Sequence, residues 1–372
     1  MTTLRPYDAV LLLSFGGPEG PADVVPFLRN VTAGRGIPDE RLAEVGEHYY
    51  AFGGKSPIND QNRDLLAALR GELAARGVEV PVAWGNRNWD PYLTDVLREL
   101  HDDGARRVLT LVTSAYGSYS GCRQYRENIA AALATLAGEG RELVVDKVRP
   151  YYNHPGFVDA NVDAVVDAYA SLGEAGADAP LLLVTHSIPT AMEVASGVRA
   201  PGGSTYSAQH LDIGALVVAA AEERLGHRLD WRLAYCSRSG SPATPWLEPD
   251  VNDALAEVVA GGARAVVLAP IGFVSDHMEV IYDLDTEARE TADRLGLTMA
   301  RAATAGTHPR FVGGLVDLLV ERAATERGED VPRVAVGTAG PWHDVCPPGC
   351  CLVREGADAV PAACEEAPVA VR

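Results

Sequence analysis

Three side chains able to move protons or hold a metal crowd the segment PIGFVSDHMEVIYDLD at 270–285: His277, Glu279 and Asp283. Glu279 and Asp283 stand one helical turn apart, on a different face from the apolar stripe of Met278, Val280, Ile281 and Leu284. Like charges so spaced cost a few tenths of a kcal/mol unless a proton or a cation joins them. A plainer role is also open. Asp276 and Glu279 have the spacing of an N-cap and its capping-box partner, with Asp283 in water. Position favours chemistry: residues 265–268 form a β-branched run that reads as a buried parallel strand ending at Pro270. Open α/β sheets bind ligands beyond the carboxyl ends of such strands.

His186 ends a second apolar run, LLLVT at 181–185, and Ser187-Ile188-Pro189 follows it. It therefore stands where another buried strand opens into the same crevice. A hydrogen-bonded structural histidine is the plain alternative. An imidazole and a carboxylate converging on one cleft form a proton-transfer pair, each tuned toward neutral pH by burial and by its neighbour. A second cluster lies near the end, where Cys346, Cys350 and Cys351 fall within six residues. Six cysteines at uneven spacing do not make an extracellular disulfide framework, and a cluster of them in a cytosolic chain points to metal.

The elements that position these groups follow from hydrophobic patterning. At 372 residues the chain suits two domains, each large enough for its own core. Strands are predicted at 8–15, 80–85, 107–113, 143–148, 181–185, 231–235 and 264–268. Helices are predicted at 23–29, 91–102, 123–137, 157–172, 206–224, 250–259 and 309–326, with an acidic helix starting after 276. Alternation of this kind predicts an α/β fold of two similar doubly wound, Rossmann-like parallel-sheet domains, 1–155 and 156–330. The segment 30–65 reads as loop-rich with a polar rim, 151–157 as a hinge, and 331–372 as an aperiodic, cysteine-bearing tail.

A net charge of −19 argues against nucleic acid, which needs clustered Lys and Arg. No apolar run approaches the roughly 20 residues of a membrane span. The first residues lack the h-region and cleavage site of a secretory signal. A cytoplasmic, monomeric enzyme with at most peripheral membrane contact is the expectation. The glycine turn at 16–20 has neither dinucleotide nor phosphate-loop spacing, and suits close approach of a flat or bulky ligand.

Seven stretches in order, LLLSFGGPE at 11–19, GGKSPI at 53–58, WGNRNWDP at 84–91, HSIP at 186–189, YCSRSG at 235–240, PWLEPD at 245–250 and GFVSDHMEVIYDLD at 272–285, resemble the ferrochelatases, in particular the actinobacterial type acting on coproporphyrin. The resemblance spans nearly the whole chain. It implies insertion of ferrous iron, as substrate, into coproporphyrin III held between the two halves. His186 matches the family's HSIP histidine and Glu279 the acid of its SDH-x-E motif. These two would share proton removal and metal presentation, their division left open, with Asp283 beginning a solvated relay.

In the same terms Phe15, where other members carry Tyr or Met, leaves no phenolate for product haem. Arg35, Ser56, Asn59, Tyr116, Arg123 and Tyr125 are candidates for substrate contact. Several ferrochelatases are similar in holding a 2Fe–2S cluster through three C-terminal cysteines and a distant one, which implies Cys122, Cys346, Cys350 and Cys351 as ligands in a C-terminal iron–sulfur extension. Cys364 is a rival ligand and zinc a rival metal; Cys236 reads as a strand-end thiol. Rival functions are a protoporphyrin IX ferrochelatase, a cobalt or nickel chelatase, and a non-catalytic haem- or porphyrin-binding protein.

Overall fold

The computed structural model describes residues 3–34, 36–239 and 243–366. Its eight strands make two four-stranded parallel sheets of the same order. In the first, β1 (Ala9–Ser14), β2 (Val82–Asn86), β3 (Arg107–Val112) and β4 (Val144–Lys147) lie as β2-β1-β3-β4. In the second, β5 (Leu181–His186), β6 (Trp231–Cys236), β7 (Ala265–Ala269) and β8 (Thr298–Arg301) lie as β6-β5-β7-β8. Central strands covered on both faces must be apolar throughout, which is why AVLLLS and AVVLA contain no exposed residue.

The helices of the first half are α1 (Val24–Val31), α2 (Asp39–Tyr50), α3 (Ile58–Ala75), α4 (Leu93–Asp102) and α5 (Gln124–Gly138). Those that follow are α6 (Pro155–Leu172), α7 (Thr190–Gly197), α8 (Tyr206–Leu225), α9 (Val251–Ala260), α10 (Met278–Val280), α11 (Ala288–Arg294) and α12 (Pro309–Glu326). Between α10 and α11, residues Ile281–Glu287 wind as a π-helix.

The structure adds detail to the sequence expectation and differs from it in several places. Segment 30–65 is largely helical, in α2 and the start of α3, with polar outer faces that hide their periodicity. Strand β8 was not foreseen, because four residues at a sheet edge give too short a pattern. In the segment 151–157, read as the hinge, Tyr151 and Tyr152 are buried and their backbone N–H groups donate to Ala115 O. Finally α12 packs on α6 of the second half and also reaches α3 of the first, where Arg76 bonds to Asp317 and to Gly313 O. Among its described residues the tail has no helix or strand, yet Trp342, Cys346, Cys350 and Cys351 are buried in the largest apolar cluster.

Candidate active site

Strand β5 delivers His186 as its last residue, in register with Cys236 at the end of β6. Beyond β7 the chain folds hard across β5. The Gly272 N–H donates to Val184 O, and a Cβ on Gly272 would lie 2.0 Å from Thr185 Oγ1. Only a residue without a side chain passes so close. That crossing sets how far the next turn stands from His186. Glu279 Oε2 ends 3.5 Å from His186 Nε2 and 3.7 Å from His277 Nδ1. His186 Nδ1 bonds to Ser187 O. A carbonyl only accepts, so Nδ1 carries a proton and Nε2 is the nitrogen that faces the acid.

The two groups set each other's protonation. Burial opposes charge on His186, but the Glu279 carboxylate outweighs it and, with the Ser187 carbonyl, raises the imidazole to about 8. Burial likewise pushes Glu279 up, and His186 overrides it through charge and hydrogen bond, lowering the carboxyl to about 2. At pH 7 the pair is therefore imidazolium and carboxylate. Water reaches 32% of the His186 side chain and 52% of Glu279, so screening weakens the attraction and the pair is open to an incoming ligand. His277 lies below its ordinary value, because burial outweighs the pull of Glu279.

Asp283 is tuned the opposite way. Burial raises it to about 7 against the Ser237 hydroxyl that donates to it, with the Glu279 charge adding to the rise. Ser237 holds a φ of 63°, a sparsely populated backbone for a residue with a Cβ. Cys236, below it, is a buried strand-end thiol as the sequence suggested.

The helix carrying these acids does not begin with the expected capping box. His277 occupies the N-cap with no side-chain bond, while Asp276 turns to Arg301, 3.2 Å away. The turn that follows is π rather than α, a form frequent at functional sites. The first half supplies the opposite wall. His48 stacks on Tyr282 with 3.7 Å between centroids, and Gln61 Oε1 accepts from the Asp276 N–H at 2.8 Å. The Tyr49 phenol is held above its usual range by burial and by the charges of Glu279 and Asp283. Sequence reasoning missed His48, Tyr49 and Tyr282. The run HYY at 48–50 was the available signal, but nothing local connected it to a segment over 200 residues away.

Most residues named for substrate contact are placed inside the protein. Phe15 is half-buried at the end of β1, edge-on to Phe27 and 5.6 Å from the Arg87 guanidinium. Asn59 Nδ2 donates to Gly17 O and Glu19 Oε1, and the Ser56 N–H donates to Pro18 O, so both brace the glycine turn. A Cβ on Gly17 would lie 2.7 Å from Ser56 Cβ, so that glycine serves packing within the first half. Tyr116 is buried, bonds to Ile271 O and stacks on His210. Tyr125 lies under Arg87, 4.5 Å from ring centre to guanidinium. Arg123 is fully buried and bonds to Glu127, Cys350 O, Val360 O and Glu365, anchoring the tail. Arg35 lies outside the described residues.

The thiols form a chain: Cys122 neighbours Cys346, Cys346 neighbours Cys350, and Cys350 Sγ lies 3.7 Å from Cys351 Sγ, all four buried. Cys364 turns away to Val145 O. Among the described residues no three His, Cys, Asp or Glu side chains close around one point as a single bound ion requires.

Two parallel sheets that present an imidazolium–carboxylate pair and a second acid at their carboxyl ends define a metal- or proton-handling α/β protein. The sequence matches the family Ferrochelatase over residues 7–323, and the chain belongs to that family. It is 61% identical over 361 residues to a Coproporphyrin III ferrochelatase of Streptomyces griseus, covering 95% of this chain and 96% of that one. It is 60% identical to the protein of the same name from Streptomyces coelicolor, covering 94% of each. Likewise, it is 50% identical to that from Leifsonia xyli, covering 93% and 91%. Among the described residues no helix is long and apolar enough to cross a membrane.

Proposed function

We propose that this chain inserts ferrous iron into coproporphyrin III. The observation that carries the reading is the His186–Glu279 pair, open to water at the carboxyl end of the second sheet and holding a removable proton. Relatives 50–61% identical over nearly the whole chain carry the name Coproporphyrin III ferrochelatase.

The reaction removes two protons from pyrrole nitrogens while their lone pairs pass to the iron, with no change of oxidation state. Ferrous iron competes with the proton for Glu279 and for His186 Nε2, since both are acceptable ligands for a borderline cation. Its arrival displaces the imidazolium proton. When the metal moves into the ring, His186 Nε2 and Glu279 regain acceptor capacity on the side from which the metal left. Asp283, about half ionised at pH 7, accepts a proton and passes it to water. We place the halves at 1–155 and 156–330 around the cleft in which the porphyrin sits, edged by the π-helix and by His48 and Tyr49.

The residues Cys122, Cys346, Cys350 and Cys351 would hold a 2Fe–2S cluster: four buried thiols in one continuous chain of neighbours supply the four ligands that its two irons require. When bound, such a cluster supplies one-electron chemistry and ties the tail, 331–372, to the first half. Two measurements test this reading. Anaerobic insertion into coproporphyrin III should outrun insertion into protoporphyrin IX; equal rates, or metal insertion into neither, contradict the substrate or the activity. Iron and acid-labile sulfide should accompany a brown purified chain and vanish on Cys350→Ser; zinc alone would contradict the cluster.

A further inference from the structure

Two buried cations lie beside the thiols, Lys147 without an ion pair among the described residues and Arg126 with only one carboxylate, which it shares. Lys147, at the end of β4, is 5% exposed. Its Nζ bonds only to Val148 O at 2.7 Å, and it has no ion pair among the described residues. Its neighbour Asp146 is engaged by Arg107 and Arg322. Arg126 is fully buried, with Nε donating to Ala363 O at 2.8 Å and Nη1 meeting no partner. Glu365, 3.5 Å from Arg126, is held more closely by Arg123 at 3.0 Å. Buried lysine and arginine without a counter-charge are rare, because the desolvated charge has nothing to offset it. Arg126 follows Cys122 by four residues and its Nη2 also donates to Cys364 O at 3.4 Å, while Cys364 Sγ lies 3.6 Å from Val145 O, two residues before Lys147; the charges of both cations act on Cys122.

We propose that Arg126 and Lys147 are the counter-charges of the four-thiol site and set the reduction potential of the group it holds. This rests on the cluster reading of those thiols. A 2Fe–2S cluster on four thiolates carries a net charge of about −2, and about −3 after one-electron reduction. Two fixed cations in a dry shell stabilise the more negative state more, so they raise the potential. Arg126 and Lys147 act through the field they place on the sulfurs, without ligating iron.

The test is spectroelectrochemical titration of the anaerobically purified full chain, followed by visible absorbance. Lys147→Met and Arg126→Gln should each shift the reduction equilibrium about tenfold toward the oxidised form, a fall of about 59 mV for one electron. Arg126→Lys keeps the charge while losing the fork, so it should stay near the native potential. If Arg126→Gln does not fold, Lys147→Met decides alone. Unchanged potentials in variants with intact cluster absorbance overturn the assignment. A native chain without iron and sulfide would show instead that the cluster reading had failed, and this inference with it.

Discussion

Glu279 and Asp283 are one turn apart and titrate at opposite ends of the carboxylate range, about 2 and about 7. The difference is set by partners. Glu279 faces an imidazolium, whereas Asp283 is half-buried and lies beside Glu279 itself. His186 is raised from 6.5 to about 8, so its part of the pair's stability is full below 6.5 and fades as pH rises through 8. Glu279 is lowered from 4.5, so its part is full above 4.5 and fades as pH falls toward 2. In Glu279→Gln the imidazole loses the carboxylate and keeps the burial, so its titration, followed by NMR of the ring protons, should drop well below 8. A value still near 8 would show that Glu279 is not what raises it. Asp283, raised from 3.8, makes the fold less stable as pH climbs between 3.8 and about 7. Asp283→Asn should therefore gain a few degrees of Tm at pH 8 and almost nothing at pH 4; an equal gain at both would refute the assigned shift.

At the scale of elements, the site depends on one backbone crossing. Gly272 lies so close to Thr185 that Gly272→Ala must push the β7 loop off β5. Overpacking of this kind costs about 1–3 kcal/mol, read from urea unfolding, and the displaced Glu279 should slow insertion further. Unaltered stability and rate would show that the crossing does not set the geometry. The buried strands were legible in the sequence, because parallel strands covered on both faces must be continuous apolar runs. His186 and Glu279 were legible for the same reason, each following such a run. The π-helix at 281–287 was not. Its apolar spacing passes for an α-helix, and what unseats the capping box is Arg301, an ion-pair partner from β8 that claims Asp276. The burial of Arg123, named for substrate contact, was not legible, because its partners lie over 200 residues away in the tail.

Over the whole molecule, the described part of the tail packs against both halves. Trp342 is fully buried against Gly117, where a Cβ would lie 2.4 Å from the indole, and edge-on to Tyr152. Gly117 in turn exchanges both backbone hydrogen bonds with Gln209 on α8 of the second half. Trp342→Ala should therefore cost about 3–5 kcal/mol by chemical denaturation, the range for emptying a buried tryptophan site; a loss below about 1 kcal/mol would mean the tail does not brace the core. The wall opposite the acids, with His48 on Tyr282 and Gln61 on Asp276, could not be read from either half alone. It exists only because the two sheets are brought together.

The most direct measurement is anaerobic stopped-flow absorbance of ferrous iron entering coproporphyrin III at pH 7, for the native chain, His186→Ala and Glu279→Gln. The expected result is rapid insertion by the native chain and a loss of at least about 100-fold in each variant, the scale of a lost acid–base group, with porphyrin still bound. Near-native insertion by either variant would contradict the assignment of metal presentation and proton transfer to this pair.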